Sequence, residues 1–271
     1  MVFSSASRDC IVIEFMGQPG SGKSTIIENL YTNTNLKKDV SFINEVLERN
    51  KGKLKKIIKF ICILLSWPGI VLKSYITLYE VRYLFYHEDH HATGPKKFKR
   101  LKKMAKNILK LNWVLINKKK VAIHEGLAHH LQRSDPASID IFLGSLTRLY
   151  GCRSIYLIYV NIDSSASVER MIRRNKEKKE TKDLLIGNKD YYIELYKNRK
   201  FIQDVFFSAV KKLDPNGAIQ ISALSKLDGS VAIEENTKIC ESLILEVLRS
   251  ELIVSNDLKV SKYSIMSDSS E

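Results

Sequence analysis

Nine residues constrain this chain more than any others: Gly17 to Thr25, reading G-Q-P-G-S-G-K-S-T. They follow an apolar run, Cys10 to Met16, and precede a helix-forming stretch, Ile26 to Leu30. The pattern G-x-x-x-x-G-K-[ST] between a strand and a helix makes a cradle for phosphate groups. Gly17, Gly20 and Gly22 let the backbone turn tightly and present N–H groups to an anion. The helix that starts near Lys23 adds the positive end of its dipole. Lys23 is expected to reach the β- and γ-phosphates, and the Ser24 hydroxyl suits Mg2+. Gln18, Pro19 and Ser21 complete the loop, and Thr25 is a further phosphate contact. A nucleoside triphosphate is therefore the expected ligand, with phosphoryl transfer or hydrolysis as the reaction.

The rest of the chain alternates short strands with helices. Strands are expected at Cys10–Met16, Val40–Ile43, Val121–Ile123, Ser154–Val160 and Ala218–Ser222. Helices are expected at Lys23–Tyr31, Glu45–Leu65, Ile70–Phe85, Pro95–Asn117, Ala137–Tyr150, Ser164–Glu180, Asp190–Leu213 and Ile233–Val247. This order predicts an α/β fold, a parallel sheet covered on both faces. Residues 1–50 and 120–254 form the expected core. Residues 51–119 are too long for a simple crossover and read as a helical insertion. Residues 255–271, polar and serine-rich, read as a flexible tail.

Charge separates the insertion from the core. The chain carries a net charge of +14, and 44% of its 271 residues are hydrophobic. Residues 51–120 hold 18 Lys and Arg against Glu80, Glu88 and Asp89, a balance of +15. The remainder is nearly neutral. A solvated lysine-rich face and a surface for anions both fit such a cluster. Anionic lipid, nucleic acid, an acidic glycan and nucleotide phosphate are the anions to consider. Ile57 to Leu72 is apolar but broken by Pro68 and Gly69, and it falls short of the roughly 20 residues of a spanning helix. A buried hairpin or an interfacial anchor fits it better. Cys10, Cys62, Cys152 and Cys240 are scattered without a C-x-x-C pair, and Met1 to Asp9 lacks a basic-then-apolar leader. A cytoplasmic protein without structural metal is expected, with peripheral membrane contact left open.

Two further pieces carry chemistry. V-A-I-H-E-G places Glu125 at the C-terminal end of an apolar strand, where open α/β sheets bind ligands. An acid there can hold Mg2+ or accept the proton of an attacking hydroxyl. A plain loop acid has the same appearance. His124 precedes it, with a hydrogen bond at the same edge or packing under the sheet as its alternatives. After the strand Ser154–Val160, Arg170, Arg173 and Arg174 recur on one helical face. Guanidinium groups suit a phosphoryl group that gains charge in transfer, and a lid carrying them would exclude water. A solvent-facing charged helix is the plainer reading.

Taken in order, the glycine loop, His124-Glu125-Gly126 and the segment Arg170–Arg174 resemble the nucleoside and nucleotide kinase group of P-loop proteins, which includes thymidylate and adenylate kinases. Leu227-Asp228-Gly229-Ser230 is similar to the segment that lies near the nucleotide base in that group. The resemblance spans residues 10–50 and 120–250. It implies a three-layer P-loop NTPase fold, Mg2+-ATP as donor, a lid, and an acid and an arginine at the acceptor. Glu45, Arg82 and Arg133 are the acceptor contacts it suggests. His124 stands where the group commonly has Asp, no D-R-[YS] acceptor motif is present, and the insertion is longer and richer in lysine. These departures open the acceptor beyond nucleotides to a sugar, a lipid-linked or glycan hydroxyl, or a polynucleotide end.

The leading expectation is a kinase that moves the γ-phosphoryl group of ATP to a hydroxyl or phosphate of a small molecule, nucleotide or glycan. Lys23, Glu125, Arg170 and Arg174 would be catalytic, and Ser24 with Glu125 would hold the metal. A nucleic-acid-acting NTPase or polynucleotide kinase using the basic insertion is the alternative, and a membrane-surface NTPase is compatible with either. A regulatory GTPase would need an N-K-x-D motif, and Asn188-Lys189-Asp190 lacks its spacer.

Overall fold

The computed structural model describes residues 8–32, 36, 40–42, 68–85, 101–102, 104–112, 121–177, 188–213 and 220–267. Glu45, the helix expected at Glu45–Leu65, Cys62 and much of the basic insertion lie outside them.

Five strands form one sheet: β1 (Arg8–Gly17), β2 (Val40–Phe42), β3 (Val121–Glu125), β4 (Cys152–Asn161) and β5 (Gln220–Asp228). Their order is β2-β3-β1-β4-β5, and every pairing is parallel. β1 lies at the centre, between β3 and β4. The chain leaves β1 toward one edge and crosses after β3 to the other side. The mouth of β1 is thus the crevice in which an open α/β sheet holds its ligand. The sheet order and the glycine loop after β1 make this a three-layer α/β fold with a P-loop.

The helices are α1 (Lys23–Thr32), α2 (Pro68–Glu80), α3 (104–112), α4 (Pro136–Tyr150), α5 (Ser164–Glu177), α6 (Lys189–Lys211) and α7 (Ile233–Ser267). Two apolar layers sandwich the sheet. Ile11, Ile13 and Phe15 of β1 pack with Ile26 and Leu30 of α1 and Ile244 of α7. Cys10, Val12 and Met16 face the other way, onto Ile108 of α3, Phe142 of α4 and Phe206 of α6. With both faces covered, central strands read as continuous apolar runs, which is why β1 and β4 were recognisable. Cys10, Cys152 and Cys240 are buried and take part in no disulfide.

Local signals set several boundaries. Asp135 caps α4 by accepting a hydrogen bond from the Ser138 N–H at 2.9 Å, Pro136 follows at the first turn, and Gly151 ends the helix in a left-handed conformation. Most strands run a little past their expected ends, the helix expected at Ile70–Phe85 is an α-helix to Glu80 followed by a 3-10 turn, and two boundaries depart by several residues. β5 runs to Asp228 rather than Ser222, because it is an edge strand whose Ser225 and Lys226 tolerate solvent. α7 runs to Ser267 rather than Val247, since no Gly or Pro interrupts the chain there. The backbone of the segment read as a flexible tail is helical that far.

The segment between β2 and β3 meets the rest of the fold through polar contacts as well as apolar packing. The Gln132 N–H donates to the Leu84 carbonyl at 2.8 Å, joining the short 3-10 turn Arg82–Phe85 to the loop after β3. Arg148 and Glu80 approach to 3.8 Å. On α2, Leu72, Tyr75, Ile76 and Tyr79 remain exposed along one face. No helix among the described residues is long and apolar enough to cross a membrane.

One polar residue lies inside the layer on α4's side. Glu14 points there from the middle of β1, fully buried. A Cβ on Gly126 would lie 1.6 Å from the Glu14 carboxyl carbon and 2.1 Å from its Oε1. Glu14 has no solvent route of escape, so Gly126→Ala must displace a buried acid. That substitution is expected to destabilise the fold by about 3 kcal/mol, the cost of overpacking a closed site. It would show as a lower urea midpoint at unchanged slope. An unchanged midpoint would mean that the Glu14 side chain is not fixed against this loop.

Candidate functional site

The glycine loop closes over itself. Lys23 is buried, and its ammonium donates to the carbonyls of Gly17 at 2.8 Å and Gln18 at 2.7 Å and to Ser21 Oγ at 3.3 Å. Burial lowers its pKa to about 8, and the Glu125 carboxylate acts in the opposite direction. Gly20 has φ +80°, and a Cβ there would lie 2.8 Å from the Ser167 carbonyl. Only glycine allows α5 to approach the loop so closely.

Strand register brings the acid to the loop. Phe15 of β1 pairs with Glu125 of β3, so Glu125 lies at the same level as the start of the turn. The Ser24 hydroxyl, at the start of α1, donates to Glu125 Oε1. The two residues separately expected to hold a metal are therefore in direct contact. Thr25 is exposed in the first turn of α1.

The arginine-bearing helix docks on the same loop. Ser167 Oγ donates to the Pro19 carbonyl, and Arg170 Nη1 donates to the Gly20 carbonyl at 3.4 Å. Gln18 Nε2 reaches the Tyr196 carbonyl of α6 at 2.6 Å and Ser164 Oγ at 3.4 Å. Arg173 and Arg174 are exposed on α5. From the other side, Gly229 donates to the Asn161 carbonyl at 2.5 Å, and a Cβ on it would lie 3.1 Å from the Ser21 carbonyl. Leu227–Ser230 thus packs against the glycine loop.

The suggested acceptor residues are less concentrated. The Arg82 guanidinium lies over the Tyr79 ring at 3.8 Å, and Arg133 lies over Tyr83 at 5.4 Å. Both mark the end of α2 and its following turn. Glu45 lies outside the described residues.

Sequence reasoning passed over Glu14, Tyr150 and Ser167. Glu14 Oε1 accepts from the Ala128 N–H at 2.5 Å, and Oε2 accepts from the Tyr150 hydroxyl at 2.6 Å. That hydroxyl in turn accepts from the Leu127 N–H at 3.3 Å. Glu14 therefore anchors the turn that follows Glu125. The available signal was an acid within an otherwise apolar strand, two residues before the glycine loop. Burial raises the Glu14 pKa to about 7, while its hydrogen bonds with Tyr150, Ala128 and Leu127 work against that shift. Burial also raises the Tyr150 phenol well above its usual range. His124, paired across the strands with Glu14, is lowered to about 4 by burial. Its ring meets Tyr150 edge-on at 5.5 Å, and its Nε2 is buried without a hydrogen-bond partner.

No protein-family model and no curated protein matches this chain. Among solved structures, similarity is found to a deoxyadenosine kinase from M. mycoides with bound dCTP. The TM-score is 0.41 and the identity 14%, over 88% of this chain and 99% of that one. The crystal structure of APE1195 is similar at a TM-score of 0.37 and 19% identity, over 89% of this chain and 97% of that one. The fold rests on the sheet order and the glycine loop, not on these coarse likenesses.

The raised Glu14 pKa sets a pH dependence. The folded protein holds this proton more tightly than the unfolded chain, whose carboxyl titrates near 4.5. Glu14's contribution to stability is therefore greatest below about pH 4.5, falls as pH rises, and reaches its minimum above about 7. The stability of the wild type relative to Glu14→Gln should decline across that window by on the order of 3 kcal/mol. Urea titrations of both proteins at closely spaced pH values would measure it. A pH-independent difference would refute the buried, proton-binding carboxyl.

Proposed function

We propose that this chain is an ATP-dependent phosphotransferase, moving the γ-phosphoryl group to a hydroxyl or phosphate of a small molecule, nucleotide or glycan. The observation that carries this reading is the contact between Ser24 of the glycine loop and Glu125 at the end of β3. It unites a phosphate-binding loop with a strand-end acid, and phosphoryl transfer needs both at one point.

Each residue then has a task. The N–H groups from Gly17 to Gly22 hold the phosphates, and Lys23 exchanges its loop carbonyls for β- and γ-phosphate oxygens. Thr25 adds a contact. Glu125 orients the acceptor and takes its proton as the new bond forms. Arg170, already against the Gly20 carbonyl, meets the charge that develops on the transferred group, with Arg174 and Arg173 closing over it. Glu45, Arg82 and Arg133 are proposed for the acceptor's remaining polar groups.

The oxygen donors of Ser24 and Glu125 fit Mg2+, which uses one or two protein oxygens and completes its shell with water and substrate phosphates. Among the described residues no cluster of three or more His, Cys, Asp or Glu forms an all-protein metal cage. When bound with the triphosphate, Mg2+ would neutralise phosphate charge.

A screen of γ-labelled ATP against nucleosides, nucleotides, sugars, phospholipids and DNA or RNA ends tests the reading. Lys23→Ala should reduce turnover by at least roughly a hundredfold while leaving the fold intact. Glu125→Gln should reduce transfer far more than ATP affinity, because the acid acts as the new bond forms. A folded Lys23→Ala protein with wild-type turnover would refute the assignment.

A second reading concerns where the enzyme works. The exposed row Leu72, Tyr75, Ile76 and Tyr79, with the exposed Lys73 beside it, lies within the segment of balance +15, and apolar and aromatic side chains in a basic segment favour an anionic membrane surface. Binding to phosphatidylserine vesicles should weaken with salt, and Leu72→Ser with Ile76→Ser should weaken it further without changing ATP turnover. Binding to single-stranded or duplex nucleic acid without vesicle affinity would favour the polynucleotide alternative.

A further inference from the structure

Beside Glu125 lies a cavity of about 10 Å3, the room of one water-sized group. Met104 and Ile108 of α3 wall it on one side, and His124, Glu125, Leu127 and Tyr150 on the other. His124 is 8% exposed, and its Nε2 is a buried polar atom without a hydrogen-bond partner. Such an atom is costly to leave unpaired, and the cavity is where a partner can enter. Tyr150 does not supply one, because its hydroxyl is engaged with Glu14 and the Leu127 N–H.

We infer that this cavity receives the reacting group of the acceptor and that the group is an uncharged alcohol hydroxyl, hydrogen-bonded by His124 Nε2 beside Glu125. The inference rests on the phosphotransferase reading and narrows its substrate class. Size argues for it, since one hydroxyl fills the space of one water and a phosphate does not. Charge argues in the same direction. Among the described residues no lysine or arginine lines the cavity, where Asn107 and His130 are the further polar neighbours, and the Glu125 carboxylate would repel a second anion. A hydroxyl both donates and accepts, so it can satisfy an imidazole nitrogen and a carboxylate together.

The reaction then balances simply. The alcohol oxygen forms a bond to the γ-phosphorus of ATP, and the bond from that phosphorus to the β–γ bridging oxygen breaks. The electron pair leaves with ADP, and the alcohol proton passes to Glu125. The product is a phosphate ester, not a phosphoanhydride.

The test uses paired acceptors on the full chain with γ-labelled ATP: adenosine with AMP, thymidine with TMP, glycerol with glycerol 3-phosphate, and glucose with glucose 6-phosphate. Phosphorus NMR identifies the new linkage. The expected product is an ester. For the best acceptor, His124→Phe should raise KM at least tenfold with unchanged ATP affinity, and His124→Gln, which keeps a polar atom, should recover part of the loss. Thermal unfolding of both variants guards against misfolding, and the linkage measured on the wild type does not depend on them. A phosphoanhydride product would overturn this inference and leave the phosphotransferase reading standing. Ester formation with KM unchanged in a folded His124→Phe protein would overturn the role of the cavity. Transfer to none of the acceptors, with ATP consumed by water alone, would count against both.

Discussion

The buried Glu14 carboxyl is the contact on which the geometry of the site depends. It lies in the central strand, and both its oxygens are committed to the turn after β3, one directly to Ala128 and the other through Tyr150. Parallel pairing fixes β3 beside β1 in register, but it does not fix where the chain goes after Glu125. The Glu14 hydrogen bonds do. They hold Leu127 and Ala128 beneath the strand end, and the lack of a side chain at Gly126 makes room for the acid. Glu125 is thereby left at the mouth of the sheet, against Ser24. A polar group buried this deeply stabilises a fold only if its hydrogen bonds are made, and here they define the direction of a loop.

Much of this was legible in the sequence, for physical reasons. The glycine loop has a pattern that few other structures require, and β1 and β4 are apolar because both faces are covered. Glu125 was found from its position at a strand end next to a glycine. Glu14 was not found, because an acid inside an apolar strand gives no sign of its partners, and those partners are Ala128 and Tyr150, far away in the sequence. The edge strand β5 was read too short because exposed positions break the apolar run. α7 outruns its sequence signal because Ser255, Asn256, Asp257 and the serines beyond them resemble a tail, yet nothing in them stops a helix. The docking of α5 on the glycine loop, through Ser167 and Gly20, depends on tertiary approach that no local pattern encodes.

The loop also carries a cost that its ligand removes. Lys23 is buried and held by the backbone carbonyls of its own loop. Carbonyl dipoles compensate a buried ammonium only in part, which is why its pKa lies near 8. Phosphate oxygens would offer it full negative charge in the same place. The carbonyl-held ammonium at the start of α1 is thus preorganised to meet an anion at the loop. Arg170 is engaged in the same way, with a single carbonyl of Gly20 as its partner on the loop.

The distribution of charge along α3 separates capture from chemistry. Met104 and Ile108 are buried and wall the cavity beside Glu125, whereas Lys102 and Lys106 are exposed. Lys102 and Lys106 therefore do not line the cavity beside Glu125. Their field acts on whatever lies outside, over a range of roughly 10 Å at ordinary salt. A reacting group that must fit a neutral, hydroxyl-sized cavity and a distal part that meets a cationic exterior describe one acceptor with two unlike ends. A compact nucleoside offers only the first end. The large basic insertion is intelligible if the second end is an anion carried at a distance from the hydroxyl, or a surface on which the acceptor is displayed.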